Sequence, residues 1–242
     1  MKYAAQRREM VHIVDEMKRW GLLNPSGGAF SMRMDDGNIL MSVAGSAFHR
    51  WNIDVGDFIA LTPDGDIVER TSRLGAAATT THLAIYRRFP AANACIHAHT
   101  PYALAFASLG VCVPSVTNRM DVLGEVPCIA SDDTAIKAQY RTNPIALHIP
   151  EGMNPRPESA VINMLHVEPQ IEKILGPREA ELDHHGLAFL LYRHGAFAFA
   201  RTAEETFDNL ARVEEAAHTA LLQSVLGGGA HAIQLNPLFP AS

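Results

Sequence analysis

The hydrophobic positions near the N-terminus recur every three or four residues, as on one face of a helix. They run from Met10 to Trp20, and Gly21 follows as a stop signal. The pattern therefore predicts an amphipathic helix over residues 4–20. Further helices are predicted at 79–88, at 101–109, and from Thr202 to the glycines at 227–229, the last opened by Thr202 and Glu205 as a capping box.

Strands are predicted where apolar residues alternate with polar ones or form short apolar runs. The predicted strands are Ala29–Met34, Ile39–Val43, Phe58–Leu61, Asp66–Glu69, ANACIHAH at 92–99, VPCIA at 126–130, and two apolar runs around Arg193-His194-Gly195. Breakers between about 135 and 180 predict loops with one or two short helices. Because strands and helices intersperse without a linker or a repeat, we predict one domain over residues 1–242.

Composition narrows the range of partners. The chain has 242 residues, is 48% hydrophobic and carries a formal net charge of −6, with no basic run that would indicate nucleic-acid binding. No apolar stretch is long enough to span a bilayer, and the charged N-terminus lacks the core of a signal peptide. Three cysteines in apolar contexts, Cys95, Cys112 and Cys128, form no CxxC pair. These features predict free thiols and a cytoplasmic protein.

Two histidines, His97 and His99, stand one residue apart at the end of a predicted strand. Alternate strand residues point to the same face, so both imidazoles would lie within reach of one ion. Imidazole is a common ligand of transition metals, but an HxH pair alone is a weak signal and favours two ordinary histidines that are hydrogen-bonded or face solvent. A third ligand elsewhere in the chain would favour the metal site over two ordinary histidines. His185 before Gly186 and His194 before Gly195 are both candidates, and the residues alone do not separate them.

Several segments together resemble the class II aldolase/adducin family. They are LLNPSGGAFSMR at 22–33, MSVAGSAFHRW at 41–51, THLAIYRRFP at 81–90, ANACIHAHTPYALAFAS at 92–108 and LLYRHGAFAFARTAEETFDNLARVEEAA at 190–217. The resemblance implies a three-layer α/β/α fold with a mostly antiparallel central sheet. It also implies a divalent metal ion (Zn, Mn or Fe), held by the HxH pair and by a third histidine. In the family this third histidine directly precedes a glycine, and an apolar strand and a long helix follow it. His194 fits that position better than His185. Family enzymes are commonly homotetramers with sites at subunit interfaces. The resemblance does not extend to residues of about 135–180, which it implies are an insertion.

The chain departs from the family where aldolases bind phosphate. Family aldolases carry Pro-Ser-Ser-Glu before the helix of residues 79–88, whereas this chain has Gly75-Ala76-Ala77-Ala78. The family's glutamate thus falls on Ala78, and its phosphate-binding asparagine falls on Gly28. Neither alanine nor glycine has a side-chain hydrogen-bond donor for an anion, so a phosphorylated sugar is not the expected substrate. The glutamate that can serve as the acid/base in family aldolases is absent as well.

The resemblance and these departures together predict a metal-dependent carbon–carbon lyase. We expect a decarboxylase, or a retro-aldol enzyme, acting on an unphosphorylated carboxylate-bearing substrate, which in some relatives is aromatic. One alternative is a three-histidine non-haem Fe(II) oxygenase that cleaves an aromatic 2-oxo acid. Another is a non-catalytic adducin-like domain.

Three further residues are candidates for catalysis. Arg119 offers a guanidinium that could grip a carboxylate with two hydrogen bonds, although a solvated loop arginine fits the sequence as well. His49 follows the second predicted strand and either approaches the site or is exposed. Tyr102 follows the HxH pair as a candidate proton donor, with a packed helix tyrosine as the alternative.

Overall fold

A computed structural model describes residues 1–43, 50–70, 79–130 and 167–226. Its eight strands are β1 (Gly28–Arg33), β2 (Ile39–Ser42), β3 (Phe58–Leu61), β4 (Ile67–Glu69), β5 (Ala94–Ala98), β6 (Cys128–Ile129), β7 (Leu187–Leu191) and β8 (Gly195–Ala200). They form one sheet in the order β4-β3-β2-β1-β5-β8-β7-β6. Neighbours are antiparallel except for β6 and β7, which are parallel.

Helices cover both faces of this sheet. The α-helices are α1 (Ala4–Arg19), α2 (Thr79–Arg88), α3 (Pro101–Leu109), α4 (Glu168–Leu175) and α5 (Ala203–Leu226), and 3₁₀ turns occupy Met120–Val122 and Gly176–Asp183. One apolar cluster joins α1, α3 and α5 to the first face, and a second joins α2 and α4 to the other. The predicted three-layer α/β/α fold with a mostly antiparallel sheet is therefore confirmed.

Strand β5 shows how alternation divides its side chains between the two layers. Ile96 and Ala98 pack into the cluster beneath α1, α3 and α5. Cys95 packs on the opposite face, among the phenylalanines of β7 and β8. His97 shares the face of Cys95, because the side chains of a strand alternate. Its partner across the β5–β8 ladder is Phe197. The first histidine of the HxH pair is therefore built into the sheet.

The boundaries of several predicted elements shift by a few residues. The predicted strand at 126–130 contracts to Cys128–Ile129, consistent with Pro127 having no N–H to give to a ladder. At the start of α5, Thr202 Oγ1 accepts from the Glu205 N–H at 3.1 Å, as a capping box requires. The Glu205 carboxylate, however, returns to the N–H of Arg201, one residue before the expected Thr202.

Some predictions lie outside the described residues. Most of the predicted insertion at about 135–180 lies outside the described residues. The part that the structure describes contains α4 and the start of the 3₁₀ turn at Gly176–Asp183. The glycines at 227–229 also lie outside. Cys95, Cys112 and Cys128 are free thiols, with Cys112 half-buried and the other two buried. Within the ranges given above, no helix has the length and apolar character needed to cross a membrane.

Candidate metal centre

Three histidines meet at the end of the sheet where β5 finishes and β8 begins. The antiparallel ladder pairs Ala98 with Ala196, which brings His99, just after β5, close to His194, just before β8. Ring centroids are 5.0 Å apart for His97 and His99, 4.7 Å for His97 and His194, and 4.9 Å for His99 and His194. One ring nitrogen from each lies within 4.8 Å of the others. In the described parts of the chain, no carboxylate or thiolate joins this group.

His97 is held rigidly by the sheet. Its Nδ1 lies 2.9 Å from the carbonyl oxygen of Ala196, so Nδ1 carries the proton and donates to it. This bond fixes the tautomer and leaves the lone pair on Nε2, which is the arrangement that metal-binding histidines commonly show. The ring also stacks on Phe197, with centroids 4.1 Å apart and an angle of 15° between the planes. His97 therefore presents Nε2 in one orientation.

His99 occupies space that a glycine leaves open. A Cβ added to Gly27 would lie 2.0 Å from Cε1 of the His99 ring and 2.4 Å from Nε2. The adjacent Ser26 Oγ lies 3.0 Å from Nδ1 and orients the ring by a hydrogen bond. The turn before β1 thus shapes the pocket in which the second imidazole lies.

His194 is placed by the tight hairpin between β7 and β8. Arg193 adopts a left-handed conformation with φ 56°, which is uncommon for a residue other than glycine. Its N–H donates to the carbonyl of Ala107 on α3, and the N–H of His194 donates back to Leu191 across the turn. The side chain of His194 is left only 5% exposed, facing the HxH pair.

The three imidazoles are neutral near pH 7. Burial, and then the neighbouring His99, lower the pKa of His194 to about 3. Burial, and then the positive charge of Arg50, lower the pKa of His99 to about 4. Burial and the repulsion of the other two histidines hold the pKa of His97 well below its usual range. Neutral imidazole is the form that binds a metal.

The ring nitrogens at this site fit a metal ion. His97 Nε2, His99 Nε2 and His194 Nδ1 are buried polar atoms that make no hydrogen bond. A buried acceptor or donor without a partner costs about 1–3 kcal/mol, so three of them converging in one place indicate a ligand. Three nitrogen ligands leave a further coordination position for substrate, which is the usual plan of a catalytic zinc site.

The geometry separates the two candidates for the third ligand. His194 lies beside the HxH pair, with its ring centroid 4.7 Å from that of His97 and 4.9 Å from that of His99, and its role as the third ligand stays a prediction. His185 lies before β7, whose first residue Leu187 pairs with Phe199 at the opposite end of the sheet. There its Nδ1 donates to the carbonyl of Gly186, and its Nε2 lies 3.9 Å from a carboxylate oxygen of Glu181. His185 therefore belongs to another part of the molecule.

The structure places two of the remaining catalytic candidates, and their roles stay predictions. Tyr102 is half-buried in the first turn of α3 and stacks on His218 with centroids 3.9 Å apart. Arg119 is exposed and precedes the 3₁₀ turn at Met120–Val122. His49 lies outside the described residues, as do Ala76–Ala78.

Arg50 is a functional candidate that the sequence analysis missed. It is half-buried, and its charge is near enough to lower the pKa of His99. The next residue, Trp51, donates through Nε1 to the carbonyl of Asn24, in the same turn that carries Ser26 and Gly27. The available signal was the segment AFHRW, in which Arg50 directly follows the predicted site residue His49.

His82 lies in a buried polar network on the α2 side of the sheet. It is fully buried, and burial lowers its pKa to about 3. Its Nδ1 is 2.7 Å from Ser31 Oγ, which in turn lies 2.8 Å from the hydroxyl of Tyr86. The His82 ring meets the edge of Phe197, whose face stacks on His97. His82 thus supports the wall behind the metal centre.

Comparison with known proteins gives consistent matches along the chain. The chain is 26% identical over 228 residues to the L-ribulose-5-phosphate 4-epimerase UlaF of Salmonella paratyphi A, covering 92% of this chain and 85% of the relative. Among solved structures, an L-fuculose 1-phosphate aldolase superposes with a TM-score of 0.66 at 20% identity, covering 98% of this chain and 93% of the other. The L-fuculose-1-phosphate aldolase of Thermus thermophilus gives a TM-score of 0.61 at 21% identity, and the match covers 92% of this chain and 95% of the aldolase.

The sequence profile described as Class II Aldolase and Adducin N-terminal domain matches residues 8–221. The matched region contains every strand of the sheet and all three histidines of the candidate metal centre. The chain therefore belongs to the class II aldolase and adducin family.

Proposed function

We propose that this protein is a metal-dependent carbon–carbon lyase that decarboxylates an unphosphorylated, carboxylate-bearing substrate. The observation that carries the proposal is the cluster of three neutral histidines, His97, His99 and His194, which no carboxylate of the described residues joins. A divalent ion held by neutral imidazoles keeps its full charge and would supply a Lewis acid that stabilises an enolate beside a carbonyl group.

The residues present favour loss of CO₂ over proton abstraction. In decarboxylation the bond between the carboxylate and the α-carbon breaks, and its electron pair passes into a carbonyl group on the next carbon, which in a hydroxylated aromatic substrate is the keto tautomer of a ring hydroxyl. The enolate that forms takes up a proton, so the reaction needs a proton donor and no base that first removes a proton from carbon. The presence of Ala78 where family aldolases carry a glutamate is therefore compatible with this reaction. Retro-aldol cleavage uses the same electron sink but begins with deprotonation of a hydroxyl group.

Arg50 is the group we assign to the substrate carboxylate. A guanidinium binds a carboxylate through two parallel hydrogen bonds, and a half-buried one does so with less screening by water. Its charge already acts on His99, so a carboxylate bound to it would lie beside the metal centre. Tyr102, two residues after Thr100, remains the proposed proton donor to the product carbanion, and Arg119 and His49 remain proposed contributors to binding.

Phosphorylated substrates are the alternative that the relatives suggest, since UlaF is named for L-ribulose 5-phosphate. The proposal departs from the relatives because Gly75-Ala76-Ala77-Ala78 and Gly28 contain no hydroxyl or amide side chain for a phosphate. An Fe(II) oxygenase is the second candidate, because three histidines can also hold iron for reaction with O₂.

We also propose that the protein forms homotetramers in the cytoplasm. The last turn of α5 leaves Val225 and Leu226 72% and 87% exposed, and Leu222 nearby is 48% exposed. Exposed apolar residues grouped at one helix end are typical of a contact surface between proteins. Three free cysteines agree with a reducing compartment. Light scattering on the purified protein tests the assembly.

The test of the reaction is CO₂ release under anaerobic conditions. The protein loaded with Mn²⁺ or Zn²⁺ is incubated with hydroxylated aromatic dicarboxylates, and separately with L-ribulose 5-phosphate and L-fuculose 1-phosphate. We expect CO₂ from the first group and no turnover of the second. Turnover of a sugar phosphate would refute the substrate class, and activity that requires both iron and O₂ would establish the oxygenase instead.

Arg50→Lys should raise KM for the carboxylate substrate about tenfold, because lysine keeps the charge and loses the two-point contact.

A further inference from the structure

A carboxylate from another layer of the fold holds the segment that follows His99. Glu214 lies in the middle of α5 and is only 8% exposed. Its Oε1 accepts from the N–H of Tyr102 at 2.9 Å, and its Oε2 accepts from the N–H of Ala103 at 2.8 Å. Both N–H groups belong to the first turn of α3, which starts two residues after His99.

The first turn of α3 needs this carboxylate because it has no cap of its own. The first N–H groups of a helix have no partner within it and are usually satisfied by the residue at the N-cap. Thr100 stands at that position with φ −66° and ψ 138°, but its side chain makes no capping hydrogen bond. Glu214 satisfies two of these donors instead, and its negative charge complements the positive end of the helix dipole.

A second contact from α5 reinforces the first. His218, one helical turn after Glu214, stacks face to face on Tyr102 with centroids 3.9 Å apart and an angle of 8° between the planes. The backbone and the side chain of Tyr102 are thus both held by the same face of α5.

His99 depends on this anchor more than His97 does. His97 lies within β5, where the ladder fixes its backbone, whereas His99 lies beyond the last strand residue, Ala98. On its C-terminal side only Thr100 separates it from Pro101, the first residue of α3. The position of the first turn of α3 therefore sets the direction in which the His99 side chain leaves the sheet.

We propose that Glu214 is a positioning residue of the metal centre, which holds His99 in its ligand orientation by anchoring the start of α3. The inference rests on the proposed metal site but does not depend on which reaction the site performs. Partners that hydrogen-bond a metal ligand directly typically cost about 10–100-fold in metal affinity when they are removed, and we expect the same range for Glu214, which acts on His99 through the backbone of α3.

The test compares three variants of the full-length protein. Glu214→Ala removes both acceptors, and Glu214→Gln keeps the volume and one carbonyl oxygen while losing the charge. Glu215→Ala is the control, because Glu215 is the exposed neighbour on the same helix. Affinity for Zn²⁺ is measured by competition with a chromophoric chelator, and the ligand field by the visible spectrum of the Co²⁺-loaded protein. Imidazole NMR signals of the metal-free protein report the order of the His99 ring.

We expect Glu214→Ala to weaken Zn²⁺ binding by about 10–100-fold and Glu214→Gln by about 3–30-fold, with an altered Co²⁺ spectrum and a broadened His99 signal. Glu215→Ala should match the wild type in all three measurements. A role in stability alone would lower the melting temperature of both Glu214 variants and leave the affinity and the spectrum unchanged, and that result would overturn the proposal. If Glu214→Ala does not fold, the affinity of Glu214→Gln decides. Failure of the wild type to release CO₂ would count against the proposed reaction and not against Glu214.

Discussion

Replacing Gly27 by alanine would place a methyl group inside the ring of His99. The added Cβ would lie 2.0 Å from Cε1, 2.4 Å from Nε2 and 2.6 Å from Nδ1, whereas ordinary contacts begin at 3.4 Å. The ring must therefore retreat by about 1.4 Å, because the van der Waals repulsion cannot be relieved by a small adjustment. Functional constellations tolerate displacements of only about 0.5 Å, so His99 should cease to be an effective ligand.

The fold itself should survive this substitution. Gly27 is not among the residues with positive φ, so its backbone conformation is open to alanine. Substitutions of this kind at compatible positions stabilise a protein by about 0.4–1 kcal/mol through the unfolded chain, which offsets part of the cost of moving the ring. We expect metal affinity to fall at least about 100-fold, equivalent to about 2.7 kcal/mol, while the metal-free protein keeps its melting temperature within a few degrees.

The assay pairs chelator competition for Zn²⁺ with thermal unfolding of the metal-free protein. Gly56→Ala is the matched control, because the nearest atom to its added Cβ is Asp54 Oδ1 at an ordinary 3.6 Å. The control should bind Zn²⁺ as the wild type does. An affinity of Gly27→Ala within threefold of the wild type would refute the assignment of His99 as a ligand.

Three further predictions concern stability and pH. Phe197→Ala should lower the free energy of unfolding by about 3–5 kcal/mol in urea titrations, because the ring is fully buried between His97 and Phe189. Arg7→Leu should cost about 3–5 kcal/mol in the same assay, because Arg7 is 1% exposed and donates to the carbonyl oxygens of Val55 and Phe58, which would lose this donor, and a loss below about 1 kcal/mol would contradict this. The metal-free protein should lose stability as the pH falls from 6.5 towards 4, by up to about 1.4 kcal/mol per pH unit for each buried histidine. The reason is that the histidines of the unfolded chain bind protons in this range, whereas the buried imidazoles of the folded protein, whose pKa values are lowered, stay neutral. Equal free energies of unfolding at pH 7 and pH 5 would contradict this.

Local pattern was sufficient to predict part of the metal centre. Strand alternation placed His97 and His99 on one side, and their rings indeed lie 5.0 Å apart. The sequence pattern alone left His194 and His185 equivalent, since both precede a glycine. The register between β5 and β8 separates them, and that register joins residues about a hundred positions apart. Long-range pairing of this kind leaves no trace in local periodicity.

The supporting residues were beyond the reach of pattern analysis for the same reason. Glu214 reads as one of several acidic residues on an amphipathic helix, and only the packing of α5 against α3 brings its carboxylate to Tyr102. Gly27 reads as part of a flexible turn, and only the approach of the His99 ring shows why a side chain is excluded there. The sequence pattern therefore indicated the HxH pair and left the third candidate open, whereas the structure shows which histidine lies beside the pair and what holds each ring in place.

Metal analysis of the protein purified in its native state tests the central claim most directly. We expect close to one equivalent of divalent metal per chain in the wild type and in His185→Ala, and loss of that metal in His97→Ala, His99→Ala and His194→Ala. A wild-type protein that contains no metal and takes none up, or a His194→Ala variant that retains a full equivalent, would contradict it.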